Sequence, residues 1–501
     1  MKINKKITKL FASVLMLAAL TGCKDEFFDV NANPNNPAVS TPKLTLPVAQ
    51  QELAVMHGTR LTYLGQFIMY NWATPSNWSA NQDFARYNIT ANFYGDIFEN
   101  SYTGPLKNLT YVENYNDATG VVDYSLYKGM STILKAFQYQ TLVDLYGDVP
   151  YTEANLRGTN PTPVYDKAED IYKDNIKKLT EVVGMLSAAP ANAENPGNQD
   201  IMFQGNVTKW QQFANTLKLR YLLRLTNTGQ DALITAGIQE IMANGKGFIT
   251  SNVVVNPGYV DNAGKLSPFY GYFRNAATGA QSDRGDYTVG TDYTINLLDK
   301  NADPRLERLY AESSAGHEYK GVWQADNLPG KGYTSNDLSK VGPGLIKSPT
   351  QDQPLMLLSE ALFLQAEAVA RGFMAGNAET LYNKAITESF KFLGVPEAET
   401  AAATYYAQAI PNVNYATSPN KVQAIITQKW IALNGTSSVE SWIEFNRTGF
   451  PAGLPLPEST TRTNRPYRLL YPSSELSRNA NNVPKQTADD AFTSKIFYQK
   501  K

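Results

Sequence analysis

Residues 164–186 read VYDKAEDIYKDNIKKLTEVVGML. Val164, Ala168, Ile171, Tyr172, Ile176, Leu179, Val182, Val183 and Leu186 recur every three or four positions. That spacing lays them along one face of a helix and leaves the charged residues on the other. Asp166, with Glu169 three residues on, has the spacing of a capping box and predicts where the helix begins. A loop rich in Pro, Asn and Gly over 190–199 leads to a second helical stretch, where Trp210, Phe213, Ala214, Leu217 and Tyr221 share a face.

The same arrangement recurs along the chain. Residues 355–371 pair with 378–393, and 421–433 with 439–446. A further helix, carrying Met130, Ile133, Leu134 and Phe137, ends near Tyr146. Helix pairs of this size, each burying its face on its neighbour, resemble tetratricopeptide repeats. Small residues in Gln365-Ala366-Glu367-Ala368 suit close helix approach. Residues 44–70 and 231–242 also read as helices, and 72–91 as a loop. Over 247–352 the helical period disappears, Gly and Pro recur, and Val253-Val254-Val255 suggests a brief strand. The expected fold is mainly α: a scaffold of helix pairs over 43–246 and 353–450, with the insert 247–352 supplying long irregular loops and a few short strands, a loop region long enough to be functional. The Pro-, Asn- and Arg-rich last 50 residues are expected to wrap the surface.

Composition limits the function classes. The 501 residues hold 45 Lys+Arg against 46 Asp+Glu, so there is no basic field for nucleic acid. The two histidines, His57 and His317, are far apart in sequence, which argues against a multi-histidine metal site. No zinc-peptidase, nucleophile-elbow or P-loop signature occurs, no loop has EF-hand spacing, and no cofactor is expected. Paired carboxylates for glycoside hydrolysis are not excluded by sequence among so many acids.

The N-terminus carries an address. Lys2, Lys5, Lys6 and Lys9 precede an apolar run over 10–20, then Thr21, Gly22 and Cys23, the sole cysteine. This pattern is a secretory signal peptide cut just before a thiol, and it resembles a bacterial lipoprotein box. Residues 1–22 are therefore expected to be removed. Acyl chains such as palmitate on Cys23 would hold residues 23–42 as a tether, each buried methylene adding about 0.8 kcal/mol of membrane affinity. Removing 1–22 takes away four lysines and no acids, leaving 41 basic against 46 acidic residues. Lys24-Asp25-Glu26 resembles the export signal of surface lipoproteins in the Bacteroidetes, which implies an outer membrane and its exterior face.

Several motifs in order resemble the SusD/RagB-type nutrient-binding lipoproteins of the Bacteroidetes. They are Phe27-Phe28-Asp29-Val30-Asn31 with Asn33-Pro34, and Tyr146-Gly147-Asp148-Val149-Pro150-Tyr151. Tyr165-Asp166 with Asp170-Ile171-Tyr172 follows, then Thr208-Lys209-Trp210 with Phe213-Ala214-Asn215 and Leu219-Arg220. Asp303-Pro304-Arg305-Leu306, Glu360 with Glu367-Ala368, Gln428-Lys429-Trp430, and Arg468 with Tyr471-Pro472 and Glu475 complete the set. The resemblance implies a single SusD-like domain over 43–501, with the irregular loops forming the binding face. It also implies a non-enzymatic protein that binds an oligosaccharide or oligopeptide and acts as the lid of a SusC-like TonB-dependent transporter barrel. Two rival readings are a surface glycoside hydrolase or peptidase, and a structural or adhesion lipoprotein.

Aromatics, 11% of the chain, supply the candidate ligand contacts. Their flat apolar faces stack on sugar C–H surfaces, while polar neighbours bond the hydroxyls. Trp210, Trp430 and Trp442 lie on helical stripes and are assigned to the core. Trp72, Trp78 and Trp323 lie in loop-like stretches. With Tyr87 and the cluster Phe269, Tyr270, Tyr272 and Arg274, they are the expected ligand contacts. Arg284-Gly285-Asp286 is treated as a chance match to an adhesion tripeptide.

Overall fold

A computed structural model describes residues 40–156, 159–325 and 332–500. Cys23, the expected signal peptide and nearly all of the expected tether lie outside them. From Pro42 onward the chain packs as one unit.

Helix α1 (Pro42–Met56) runs through a π turn, His57–Leu61, into α2 (Thr62–Ile68). The stretch expected as one helix is thus nearly continuous but carries an extra residue in one turn. Next come α3 (Asp96–Thr103), α4 (Pro105–Glu113) and α5 (Ser125–Tyr146), then α6 (Ala168–Ser187), α7 (Val207–Arg224) and α8 (Asp231–Ala243). The insert holds α9 (Pro268–Phe273), α10 (Asp283–Tyr287) and α11 (Asp292–Lys300). The scaffold resumes with α12 (Leu358–Ala370), α13 (Ala378–Leu393), α14 (Ala398–Tyr406), α15 (Lys421–Ala432) and α16 (Ser438–Thr448). Helices α6 and α7, and α12 and α13, pack as the sequence pairs them, and α4 pairs with α5; α15 packs mainly on α12 and α16 on α2, so the third expected pair is taken apart by its neighbours. The fold is helical and tetratricopeptide-like.

The α6 stripe is buried as read: Ile171, Tyr172, Ile176, Leu179, Val182, Val183 and Leu186 face the core. Its cap differs from expectation. Asp166 turns away and accepts the backbone N–H groups of Tyr151 and Thr152 at 2.9 Å. The first turn is capped instead by Asp148, whose Oδ1 accepts from Ala168 N at 2.9 Å. The Tyr146–Tyr151 motif therefore serves as the cap of the following helix.

Strands are few. β1 (Trp72–Ala73) pairs antiparallel with β3 (Val289–Gly290), and β2 (Val253–Val255) with β4 (Gln353–Met356). The second pair clasps the two ends of the insert, so about a hundred residues of loop leave and rejoin the scaffold at one place. Loop-closure cost grows only slowly with length, which makes such an insertion tolerable.

The C-terminal end does not merely wrap the surface. Leu469, Tyr471, Phe492 and Tyr498 are all buried. Leu469 N donates to Leu145 O at 2.7 Å, Tyr471 Oη to Asp148 O at 2.8 Å, and Tyr498 lies 5.7 Å from the Tyr172 ring. Apolar residues spaced through a polar segment tuck inward one at a time, a pattern with no period to read.

Buried charge ties the two halves of the scaffold together. Arg224 of α7 contacts Glu440 and Glu444 of α16 and lies 3.6 Å from Asp144 of α5. Arg447 grips Glu367 of α12 at 2.7 Å through two nitrogens and also contacts Glu444. Arg220 is 3.2 Å from Glu360, and Lys429 is 3.3 Å from Glu444. Burial works against ionising Glu444, but Arg224, Arg447 and Lys429 together hold its carboxyl well below the usual range. Burial pushes Asp144 up to about 6, with Arg224 opposing.

Two sites in this scaffold make testable predictions. A Cβ on Gly65 would stand 2.1 Å from Val439 N and 2.2 Å from the carbonyl carbon of Ser438. Backbone cannot yield as a flexible side chain does, so Gly65→Ala is expected to cost about 3 kcal/mol, at the upper end of overpacking effects. The midpoint of urea unfolding measures it.

His57 stacks 4.6 Å from Phe137 and its Nε2 lies 3.1 Å from Gln138 Oε1. Burial, aided by the Arg220 charge, lowers it to about 4, against the Gln138 contact and the Glu440 charge. Its folded pKa is below the unfolded value, so its neutral form favours folding. That contribution is lost as pH falls from about 6.5 toward 4, where the unfolded chain takes the proton first. Asp144, raised, acts in the opposite sense between about 6 and 4. Stability measured at pH 7 and pH 4.5 should therefore fall less in His57→Gln than in the unaltered chain, by about 2 kcal/mol.

Candidate binding cleft

The cleft begins with an alternation. Val322 joins Ala73, Val289 and Leu338 in a small apolar cluster beside β1 and β3, and its N–H donates to Gly290 O at 3.1 Å. Gln324 is buried too, its Nε2 donating to Phe67 O at 2.8 Å and to Trp72 O at 2.6 Å. In extended backbone, neighbours of inward residues point outward. Trp323, between these two, is 56% exposed.

Trp323 stands over a cleft of about 550 Å³. Helix α11 forms one wall along its length, with Thr291 as its cap: Thr294 N donates to Thr291 Oγ1 at 3.3 Å. That cap places Asp292, Tyr293, Asn296 and Lys300 on the cleft. Glu458 comes from the C-terminal segment, fixed by its N–H to Gln324 O at 2.8 Å. Burial raises the Asp292 carboxyl, while the backbone N–H of Tyr293 and the Trp323 indole act to lower it. The cleft thus offers an aromatic face beside two carboxylates, an amide and an ammonium, the chemistry that receives a polyhydroxylated chain.

The other expected contacts go elsewhere. Trp72 is fully buried in β1, packed against Tyr63 and Phe273, and Tyr87 is buried near Phe492. The expectation of ligand contact is corrected for both, because long-range strand and core packing use their faces. Phe269 is 4% exposed and packs on Phe273; it borders a separate cavity of about 420 Å³ with Lys347 and Phe392. The run 269–274 is no open loop: α9 turns Phe269 and Phe273 inward and leaves Tyr270, Tyr272 and Arg274 partly exposed. Arg284 lies 3.8 Å over the Tyr272 ring.

Trp78 is half-buried. Its Nε1 donates to Asp286 Oδ2 at 2.7 Å, and Asp286 also holds Lys340 at 2.7 Å and Ser335 at 2.9 Å. Asp286 of the Arg-Gly-Asp run, on α10, thus clasps the Trp78 loop to the segment that carries Ser335 and Lys340. Trp78, Tyr270, Tyr272 and Arg274 do not line the Trp323 cleft. Sequence reading missed Asp292, Tyr293, Asn296, Lys300 and Glu458. The signal available was Thr291 before Asp292, a helix cap inside the insert.

A family model described as "Starch-binding associating with outer membrane", SusD-like, matches residues 34–472. The chain belongs to the SusD-like family. Solved SusD homologues agree with the fold. A SusD homologue from Bacteroides fragilis NCTC 9343 superposes with a TM-score of 0.71 at 24% identity, covering 92% of this chain and 100% of that one. A chitin-binding SusD homologue from Flavobacterium johnsoniae gives 0.71 at 22% identity, covering 91% and 97%. A chain named only as a chitin-binding protein gives 0.73 at 24%, covering 92% and 100%. No curated protein matches the sequence.

Proposed function

We propose that this SusD-like chain is a surface lipoprotein, anchored through Cys23, that captures an oligosaccharide in the Trp323 cleft. It then presents that ligand to a TonB-dependent outer-membrane transporter, for which it acts as a lid. The observation that carries the reading is the largely exposed Trp323 ring sharing one cleft with Asp292, Asn296 and Glu458. The family description and two relatives named as chitin-binding support carbohydrate over peptide.

Calorimetric titration against oligosaccharide and oligopeptide panels, with product analysis, tests this. Saturable heat with oligosaccharides and intact ligand afterwards supports it. Heat with peptides alone moves the ligand class. Released product replaces the reading with an enzyme. Repeating the titration with the cognate transporter present tests the lid role, which predicts tighter capture in the complex.

A further inference from the structure

A third cavity, of about 400 Å³, shares no residue with the Trp323 cleft. One wall is α1 and its π turn, carrying Glu52, Val55 and Arg60. The other is α3 with Asp96 and Ile97, closed by Pro105 at the start of α4.

The π turn sets the register of the first wall. Residues eight apart in a regular α-helix point about 80° apart, at 100° per residue; one extra residue absorbed by a π turn closes that to about 20°. The His57–Leu61 turn therefore brings Arg60 onto the face of Glu52. Their backbones lie about 12 Å apart along the axis, which leaves room for a short chain to lie between the two charges.

Both charges keep a free position. Glu52 accepts one bond, from Asn108 Nδ2 to Oε2 at 2.8 Å, and its Oε1 takes no donor among the described residues. Arg60 gives Nε and Nη2 to Asp96 at 2.7 and 2.6 Å, and its guanidinium lies 4.0 Å over the Tyr94 ring. Its Nη1 has no acceptor among the described residues. Asp96 fixes the guanidinium without using all of it. Val55, Ile97 and Pro105 supply an apolar stretch in the same cavity. Burial raises the Glu52 carboxyl, which marks it as short of partners.

We propose that this cavity binds a short zwitterion, of the size of an ω-amino acid or a dipeptide. Its ammonium sits on Glu52, its carboxylate on Arg60 Nη1, and its carbon body on Val55 and Ile97. The site is separate from the glycan cleft and stands whether or not that cleft binds sugar.

The test is calorimetry on the full chain in detergent with 6-aminohexanoate, hexylammonium and hexanoate at pH 7. 6-Aminohexanoate should saturate the site. Each analogue lacking one charge should bind about tenfold more weakly, since a charge-assisted hydrogen bond is worth at least 1.4 kcal/mol. Glu52→Gln, which preserves shape, should weaken 6-aminohexanoate by the same factor and leave hexanoate unchanged. Circular dichroism of the variant confirms that it folds. Equal binding of all three probes, indifference to Glu52→Gln, or no heat with 6-aminohexanoate overturns the proposal.

Discussion

Arg224→Met is expected to destabilise the fold by about 3–5 kcal/mol, read as a lowered midpoint of urea unfolding. The guanidinium is fully buried against Glu440, Glu444 and Asp144. Removing it strands two carboxylates that Arg224 helps keep ionised, with only Arg220, Arg447 and Lys429 left nearby. An apolar side chain of similar length fills the space but returns none of the charge. Buried pairs are costly to break even where forming them brings little net gain. An exposed pair such as Lys177–Glu181, 3.7 Å apart on α6, should contribute nothing measurable when Lys177 is changed to Ala. Neutralising the partners as well, in Arg224→Met with Glu440→Gln and Glu444→Gln, should recover part of the loss. A loss under 1 kcal/mol in the single variant would show that the neighbouring cations already suffice.

Trp323→Ala should weaken oligosaccharide capture by roughly ten- to thirtyfold, or about 1.4–2 kcal/mol, while leaving the unfolding midpoint nearly unchanged. The ring is mostly exposed, so the fold gains little from it, and its face is what the cleft offers a sugar. Trp72→Ala should reverse the pattern: a large loss of stability, as expected when a buried tryptophan is truncated, without a specific effect on ligand contact. Titration of both variants separates a binding tryptophan from a packing one. Unaltered affinity in Trp323→Ala would move the glycan site away from this cleft.

The sequence made the helical pairs legible wherever one face was apolar and the other charged, as in α6 and α13. Helices α3 and α14 were not singled out: Asp96–Thr103 spans only about two turns, and the alanines of Ala398–Tyr406 mark no distinct face. The π turn was invisible, since one extra residue barely disturbs a hydrophobic pattern. Trp210, Trp430 and Trp442 proved buried, as their helical spacing implied. The loop aromatics could not be sorted in advance. Whether Trp72 or Trp323 faces outward is set by Trp72 opposite Gly290 and by Gln324 bonding Phe67, both partners more than 200 positions distant. The cleft's polar wall was equally hidden, because Glu458 and Asp292 meet only through the folded C-terminal segment.

That segment also bears on how the protein folds. Phe492, Ile496 and Tyr498 belong to the same core as Tyr172 and Tyr221, and the Tyr172 hydroxyl contacts Asp144. These residues lie hundreds of positions after the helices they complete. Local helices can form and pair first, but their core stays open until residues 492–498 dock. A chain cut before residue 490 would therefore keep most of its helices around an unfinished centre, exposed to proteases and to other copies in the same state.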